Sequence, residues 1–422
     1  MGKPNFIVIL ADDLGYGDLG CDGGAVIRTP NLDRMAAQGA RLTDFYASAN
    51  VCTPSRAGLL TGQFAIRHGL AHEVIQPADT TGLPPDALTI PKVLGPDYTS
   101  ALIGKWHLGH VAPHWPPMVY GFDRFYGLPY SHDMKPLALY DNATTPMTES
   151  RADFARLTEW FFGQTATFVE ANRDKPFFVL LALTEPHVPL KPNPDDLTGS
   201  PAGAYGEVVE EIDLNVGRLL ERLKRLGLDE DTLVIFTSDN GPWFEGSSGP
   251  FRDRKGGSAW DGGFRVPFIA RRPGAIPAGL VSNALSSNLD LLPTLLAMSG
   301  GTLPAAHELD GRDISAVLTG GAPSPHEEIA LFDNNHVAAI RTPRWKYVAR
   351  SYYRTYDIPL DRYPLLFDMA ADPGENYSVA RNFPDAAAEM RGRLERAREK
   401  YEPMAALFPP HVAPASAKDH PD

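Results

Sequence analysis

The chain has 422 residues, 43% of them hydrophobic and 22% charged, with a formal net charge of −13. That composition suits a soluble globular protein with enough chain for a large core, and its acidic balance argues against nucleic acid as the main partner. Two cysteines, Cys21 and Cys52, cannot build a disulfide framework, and no apolar run approaches the length of a membrane span.

The first element is NFIVILA, which starts almost at once and reads as a strand, not as a signal peptide. That predicts a cytoplasmic protein, or a periplasmic or secreted one if a leader was removed. Residues 29–38 follow as a helix, with a Thr cap, Pro at the first turn and a Gly behind. Next comes CTPSRAGLLTG, residues 52–62. Thr53 is a good N-cap, Pro54 suits the first helical position and Gly62 can end the turns. Cys52 is then expected at a helix N-terminus with Arg56 one turn on, an electropositive place for a nucleophile. The bland alternative is a small buried hydrophobe, which is also the reading for Cys21.

Further strands are expected at 99–103, 177–183 and 233–237, beside the first at 6–11, and long amphipathic helices at 152–172 and 205–226. The strand segments are apolar with little alternation, the pattern of strands buried on both faces of a parallel or mixed sheet. From about Glu328 the character changes to short β-like stretches broken by turns, then one charged helix over 383–401 and a Pro/Ala-rich tail after Phe408. The expected organisation is a main domain over 1–325 with a subdomain over 326–422, a small antiparallel sheet with a helix packed on it.

Each buried strand runs into chemistry. The first meets Asp12 and Asp13, the second Lys105 and His107, the third His187, and the fourth Asp239 and Asn240. In open α/β sheets ligands bind outside the carboxyl ends of the strands. Asp12, Asp13, Asp239 and Asn240 offer only oxygen, which suits a hard cation, Ca²⁺ ahead of Mg²⁺. Arg56, Lys105, His107, His187 and Lys255 surround that set with positive charge, as a tetrahedral oxyanion requires. This much points to a phosphate or a sulfate ester and does not choose between them.

CTPSRAGLLTG resembles the sulfatase signature Cys-X-Pro-Ser-Arg followed by Leu-Thr-Gly, and DYTSALIGKWHLG, residues 97–109, resembles the second signature of that family. The likeness continues in order through ADDLGYGDLGC, GLPYSHD, TEPHVP, TSDNGP, DGGFRVP and DPGENYS. The chain is thereby identified as similar to the formylglycine-dependent (type I) sulfatases, arylsulfatase A type, of the alkaline phosphatase superfamily. The resemblance implies an α/β/α sandwich with a large mixed, mostly parallel sheet.

It also implies that Cys52 is converted to 3-oxoalanine (formylglycine). One hydroxyl of the hydrated aldehyde attacks sulfur and expels the alcohol. The other then loses its proton, the carbon–oxygen bond to sulfate breaks, and the aldehyde returns. By the same resemblance, Asp12, Asp13, Asp239, Asn240 and the Cys52 side chain hold the metal. Asp239 takes the proton of the attacking hydroxyl and Arg56 stabilises the hydrate. Lys105 bridges hydrate and sulfate, His107 triggers sulfate release, and His187 with Lys255 binds sulfate and protonates the leaving oxygen. Ser131 matches a sulfate hydrogen-bond donor. The implied partners are a small-molecule sulfate ester and, transiently, a formylglycine-generating enzyme, with no nucleic acid or membrane; the oligomeric state is left open.

Three other readings compete. They are a phosphonate monoester or phosphodiester hydrolase of the same superfamily, a cysteine hydrolase using Cys52 as thiolate, and a calcium-binding protein in which Cys52 is never converted. Trp115, Trp243 and Phe244 are read either as an aromatic wall for an aryl or sugar ring or as packing residues.

Overall fold

The computed structural model describes residues 2–142, 145–148, 154–304, 307–353, 356–360 and 363–408. The expected tail after Phe408 and the start of the 152–172 helix lie outside the described residues. A ten-stranded sheet forms the centre of the molecule. In chain order its strands are β1 (Asn5–Ala11) and β2 (Ala40–Leu42), then, beyond a short β3 (Phe45–Tyr46), β4 (Thr99–Lys105), β5 (Arg124–Leu128), β6 (Ala138–Asp141), β7 (Thr145–Thr148), β8 (Phe177–Ala182), β9 (Thr232–Ser238), β10 (Phe268–Arg271) and β11 (Leu280–Ser282). Across the sheet the order is β11-β2-β10-β9-β1-β8-β4-β5-β6-β7.

The middle five strands, β9-β1-β8-β4-β5, run parallel, as do β2 and β11; β10, β6 and β7 run against their neighbours. The sheet is therefore mixed and mostly parallel, as expected. Its central strands are apolar throughout because both faces are covered. Phe6, Val8 and Leu10 point into one core with the helices Cys52–Thr61 and Leu291–Met298. Ile7 and Ile9 point into the other, against the helices Pro30–Ala37, Leu157–Ala171 and Gly203–Arg225.

β12 (Ser286–Ser287) pairs with β3 as a small ladder. An antiparallel sheet follows, built from β13 (Ile329–Asp333), β14 (His336–Arg341), β15 (Trp345–Val348) and, after the hairpin β16 (Arg350–Tyr353) and β17 (Tyr356–Pro359), β18 (Leu365–Asp368). The helix Pro384–Tyr401 lies on it, with Met390 and Leu394 sharing a core with Val337 and Ile340. That apolar cluster is continuous with one face of the central sheet.

Candidate active site

The carboxyl ends of β1, β9, β4 and β8 lie side by side because these strands are neighbours in one parallel array. Asp239 N donates to Ala11 O at 3.1 Å and Asp12 N to Glu185 O at 3.1 Å, so the turns leaving three strands are tied together. Asp13 and His107 adopt φ of 67° and 59°. Such left-handed positions are uncommon for residues other than Gly and concentrate where a side chain must be aimed.

Cys52 is the first residue of its helix, capped by Val51. The expected Thr53 cap is thus a correction, since Thr53 has helical geometry inside the first turn. Its hydroxyl instead donates to His107 O at 3.0 Å and accepts from Ile75 N at 3.0 Å, joining the helix to the β4 turn. Cys52 is 2% exposed, and its Sγ lies 3.4 Å from Asp12 Oδ1. Burial pushes the thiol well above its ordinary pKa, and the opposing pull of Lys105 and Lys255 does not offset it. The electropositive setting expected for Cys52 is present, but in a free thiol burial outweighs it.

Around this sulfur the acids and cations alternate. Lys105 Nζ is 2.6 Å from Asp12 Oδ2, and Arg56 donates to Asp239 Oδ2 at 2.9 Å while its NH2 lies 3.4 Å from Asp12 Oδ1. Lys255 Nζ is 2.7 Å from Asp13 Oδ2, His187 Nε2 is 3.6 Å from the same oxygen, and Asn240 Nδ2 donates to Asp13 Oδ1 at 2.8 Å. Asp12 is held well below the usual carboxylate range: burial raises it, and Lys105 and Arg56 more than reverse that. Asp239 is pushed up to about 6 by burial and then by the Asp12 charge, and Asp13 is raised by burial.

One ligand atom each from Asp12, Asp13, Cys52 and Asp239 fall within 4.8 Å of one another. Asn240 Oδ1 is buried without a hydrogen-bond partner. An unpartnered buried oxygen beside three crowded carboxylates is the donor set of a hard divalent cation, which would relieve their mutual repulsion. The residues present fit such an ion.

The two histidines are oriented by carbonyls, which can only accept. His107 Nε2 therefore carries the proton toward Ile75 O at 3.0 Å and leaves the buried Nδ1 lone pair without a partner. Burial, then Lys105 and Arg56, keep this ring neutral far below its ordinary pKa. His187 Nδ1 donates to Val188 O at 2.6 Å, which leaves Nε2 turned to Asp13. Its pKa is lowered, chiefly by burial, with Asp12 opposing.

Every residue singled out above is buried or nearly so, and Cys52, Arg56, Lys105, His187, Asp239, Lys255, Asp12, Asp13 and Asn240 form one contact network. His107 joins it through Thr53. Ser131 stands apart: its hydroxyl is buried without a partner, and its neighbour His132 meets the His187 ring at 5.8 Å. Trp115 packs edge-on against Phe125 and Tyr140, which makes it a packing residue, whereas Trp243 and Phe244 are exposed.

Sequence reasoning missed two supports. Asn288 donates to Ser55 Oγ at 2.8 Å and accepts from Ser48 N at 3.0 Å, bracing the Cys52 helix from its far side, and Ser55 Oγ donates to Asp239 O. An Asn in SSNLD carries no signal of this by itself. Glu185, buried and joined through its carbonyl to Asp12 N, was legible only as part of TEPHVP. A cavity of about 490 Å³ between Leu309, Arg312, Arg393 and Tyr401 has none of these residues in its lining.

Comparison with known proteins follows the same lines. Residues 4–301 match the Sulfatase family model, and residues 253–400 match the model for the C-terminal part of N-sulphoglucosamine sulphohydrolase. Human arylsulfatase A is 37% identical over 93% of this chain and 86% of its own length. Rat steryl-sulfatase is 32% identical over 89% and 85%. Among solved structures, the PsFucS1 sulfatase from Pseudoalteromonas sp. superposes with a TM-score of 0.86 at 30% identity, covering 94% of this chain and 91% of that one. Ps i-CgsB in complex with k-i-k-neocarrahexaose gives 0.84 at 29%, covering 95% and 94%.

Proposed function

The chain belongs to the sulfatase family as a sulfuric ester hydrolase of the arylsulfatase A type, and we propose that it hydrolyses an aryl or carbohydrate sulfate using Cys52, matured to 3-oxoalanine (formylglycine), beside a bound Ca²⁺. The observation that carries this reading is the meeting of Cys52 with Asp12, Asp13 and Asp239 within 4.8 Å, ringed by Arg56, Lys105, His187 and Lys255. A plain thiolate hydrolase has no use for that acid cluster.

Asp12, Asp13, Asp239, Asn240 and the Cys52 side chain would hold the cation, which supplies charge to neutralise the carboxylates and to polarise a sulfate oxygen. The hydrated aldehyde supplies two hydroxyls on one carbon, one to take the sulfuryl group and one to release it. Asp239 accepts the proton of the attacking hydroxyl, with Arg56 holding its carboxylate in place. Lys105 and Lys255 neutralise the sulfate oxygens as charge builds on them. His187 gives the leaving oxygen a proton from Nε2, which requires the imidazolium form because the Nδ1 proton is committed to Val188 O. His107 uses its open Nδ1 lone pair to remove the proton whose loss frees sulfate. Ser131 adds a hydroxyl donor to the bound sulfate.

The test is a side-by-side rate on protein co-expressed with a formylglycine-generating enzyme, with the Cys52 peptide weighed to establish conversion. Hydrolysis of one aryl sulfate is compared with the matching phosphate monoester, phosphate diester and phosphonate monoester, and Cys52→Ala serves as blank. A dominant sulfate rate that disappears in the blank supports the reading. A dominant phosphodiester or phosphonate rate overturns it, and activity retained in the blank removes Cys52 from the mechanism.

A further inference from the structure

Trp243 and Phe244 are large aromatics left 39% and 68% exposed. Their rings touch, with centroids 4.7 Å apart and planes at 83°. Scattered exposed apolar residues are ordinary, but two rings set at a right angle make an open corner: one face to stack on and one wall beside it. The corner is held in place. Arg254 NH1 donates to Trp243 O at 3.2 Å, and the Arg254 guanidinium lies 5.0 Å from the Phe244 ring centre.

The corner also has an address. Trp243 follows Asn240 by three residues, so at most about 11 Å of extended chain separates them. Arg254 directly precedes Lys255, whose backbone N donates to Pro242 O at 3.0 Å and whose Nζ reaches Asp13. The two segments that build the corner are thus the two that deliver Asn240 and Lys255.

The guanidinium adds a second preference. Among the described residues no carboxylate forms a salt bridge with Arg254; Asp253 accepts only from the Arg254 backbone N, through Oδ1 at 3.0 Å. A cation without a carboxylate partner among the described residues, beside an aromatic corner on a chain of net charge −13, is a local exception in sign.

We propose that Trp243, Phe244 and Arg254 form the subsite for the leaving alcohol, and that it selects a ring carrying a second anionic group beyond the scissile sulfate. This rests on the sulfatase reading of the neighbouring site. The ring stacks in the Trp243–Phe244 corner and the second anion pairs with Arg254.

Binding to Cys52→Ala protein tests the subsite without turnover. Inorganic sulfate, phenyl sulfate and 4-carboxyphenyl sulfate are titrated by calorimetry into that protein and into the same protein with Trp243→Ala, Phe244→Ala, Arg254→Met or Arg254→Lys added. Trp243→Ala and Phe244→Ala are each expected to weaken both ring ligands about three- to tenfold and to leave sulfate within about twofold. Arg254→Met is expected to abolish an approximately two- to fivefold preference for the carboxylated ring, and Arg254→Lys to keep it. All three side chains are at the surface, and unchanged thermal unfolding verifies that the four variants fold.

Ring ligands that bind no better than sulfate, or aromatic variants that weaken sulfate equally, overturn the proposal. Arg254→Met with the carboxylate preference intact overturns its second half. Failure of sulfate turnover in the matured enzyme, with these binding effects intact, overturns the sulfatase reading and leaves the subsite standing.

Discussion

Lys346 Nζ stands 2.6 Å from Glu375 Oε1 and 2.7 Å from Asp261 Oδ1, all three side chains wholly buried. Asp261 belongs to DGGFRVP and Glu375 to DPGENYS, and Asp261 N also donates to Glu375 Oε2 at 2.8 Å. Two motifs far apart in the chain therefore meet on one ammonium from β15. Burial alone would raise the Asp261 carboxyl; Lys346, then Arg265 and Arg341, bring it down to about 2. Arg252 NH1 donates to Glu375 O at 3.1 Å, which ties the loop leading to Lys255 to the same cluster.

Removing that ammonium takes the paired cation from the buried Glu375 and leaves Asp261 to Arg265 and Arg341. Lys346→Met is expected to lower stability by about 3–5 kcal/mol, and adding Glu375→Gln to recover part of the loss. Equilibrium denaturation at pH 7 measures both. A single variant within about 1 kcal/mol of wild type would mean that Glu375 is already neutral in the folded protein, its carboxyl being pushed up to about 7 by burial.

Lys255 approaches Asp13 from a loop and not from the sheet. Its proposed work is done on developing sulfate charge. Lys255→Ala is expected to cut kcat/KM by about 10²–10³-fold, with Lys255→Arg recovering some of it. Ser131→Ala, which removes a neutral donor, is expected to cost far less and mainly in KM. Steady-state rates on one aryl sulfate rank the three; equal losses would contradict the roles given.

Metal removal has a predicted sign in both activity and stability. Stripping the enzyme with EGTA is expected to abolish turnover and lower the unfolding temperature, and Ca²⁺ to restore both. The stabilisation is about 2.7 kcal/mol at a free Ca²⁺ one hundred times Kd. Asp13→Asn is expected to raise the Ca²⁺ concentration needed. Restoration by Mg²⁺ alone would change the identity of the ion and not the site.

His68 gives a pH dependence away from the active site. It is buried, its Nε2 has no partner, and burial lowers its pKa to about 4, with Asp310 pulling upward and Arg67 and His307 downward. The unfolded chain protonates this ring near pH 6.5 and the folded chain does not. Its stabilising effect is complete above that pH and is lost as pH falls from about 6.5 to 4, up to about 3 kcal/mol. His68→Gln is expected to remove that part of the slope. Denaturant midpoints at pH 7 and 4.5 measure it for both proteins; parallel changes would exclude His68 as the cause.

The central strands were legible because burial on both faces leaves an unbroken apolar run. The expected 99–103 and 233–237 lie inside Thr99–Lys105 and Thr232–Ser238, and the expected helix at 205–226 corresponds to Gly203–Arg225. β2, β10 and β11 were not legible. They are three or four residues long, and two of them carry an Arg, so no periodicity develops. Thr53 misled because a cap is recognised by residue type, whereas here the preceding extended residue, Val51, ends the non-helical backbone. The acids and cations of the site stood out as strand-end residues. Their sulfate chemistry came from resemblance, since charge alone did not separate sulfate from phosphate. Asp261 and Glu375 lay in motifs that stood out, but their meeting on Lys346 gave no signal, because 85 and 114 residues separate Asp261 from its two partners.

β1 lies between β8 and β9, and Cys52 is left 2% exposed beside the Asp12 turn at the end of β1. The strand that closes one side begins at Thr232, about 180 residues after Cys52 leaves the ribosome. At ordinary rates of synthesis that interval is roughly 10–40 s. If Cys52 is converted as proposed, the modifying enzyme reaches it most readily on the open chain within such a window, or on a chain kept from folding. Slow folding therefore favours a fully converted product, and a variant that folds faster is at risk of trapping the thiol.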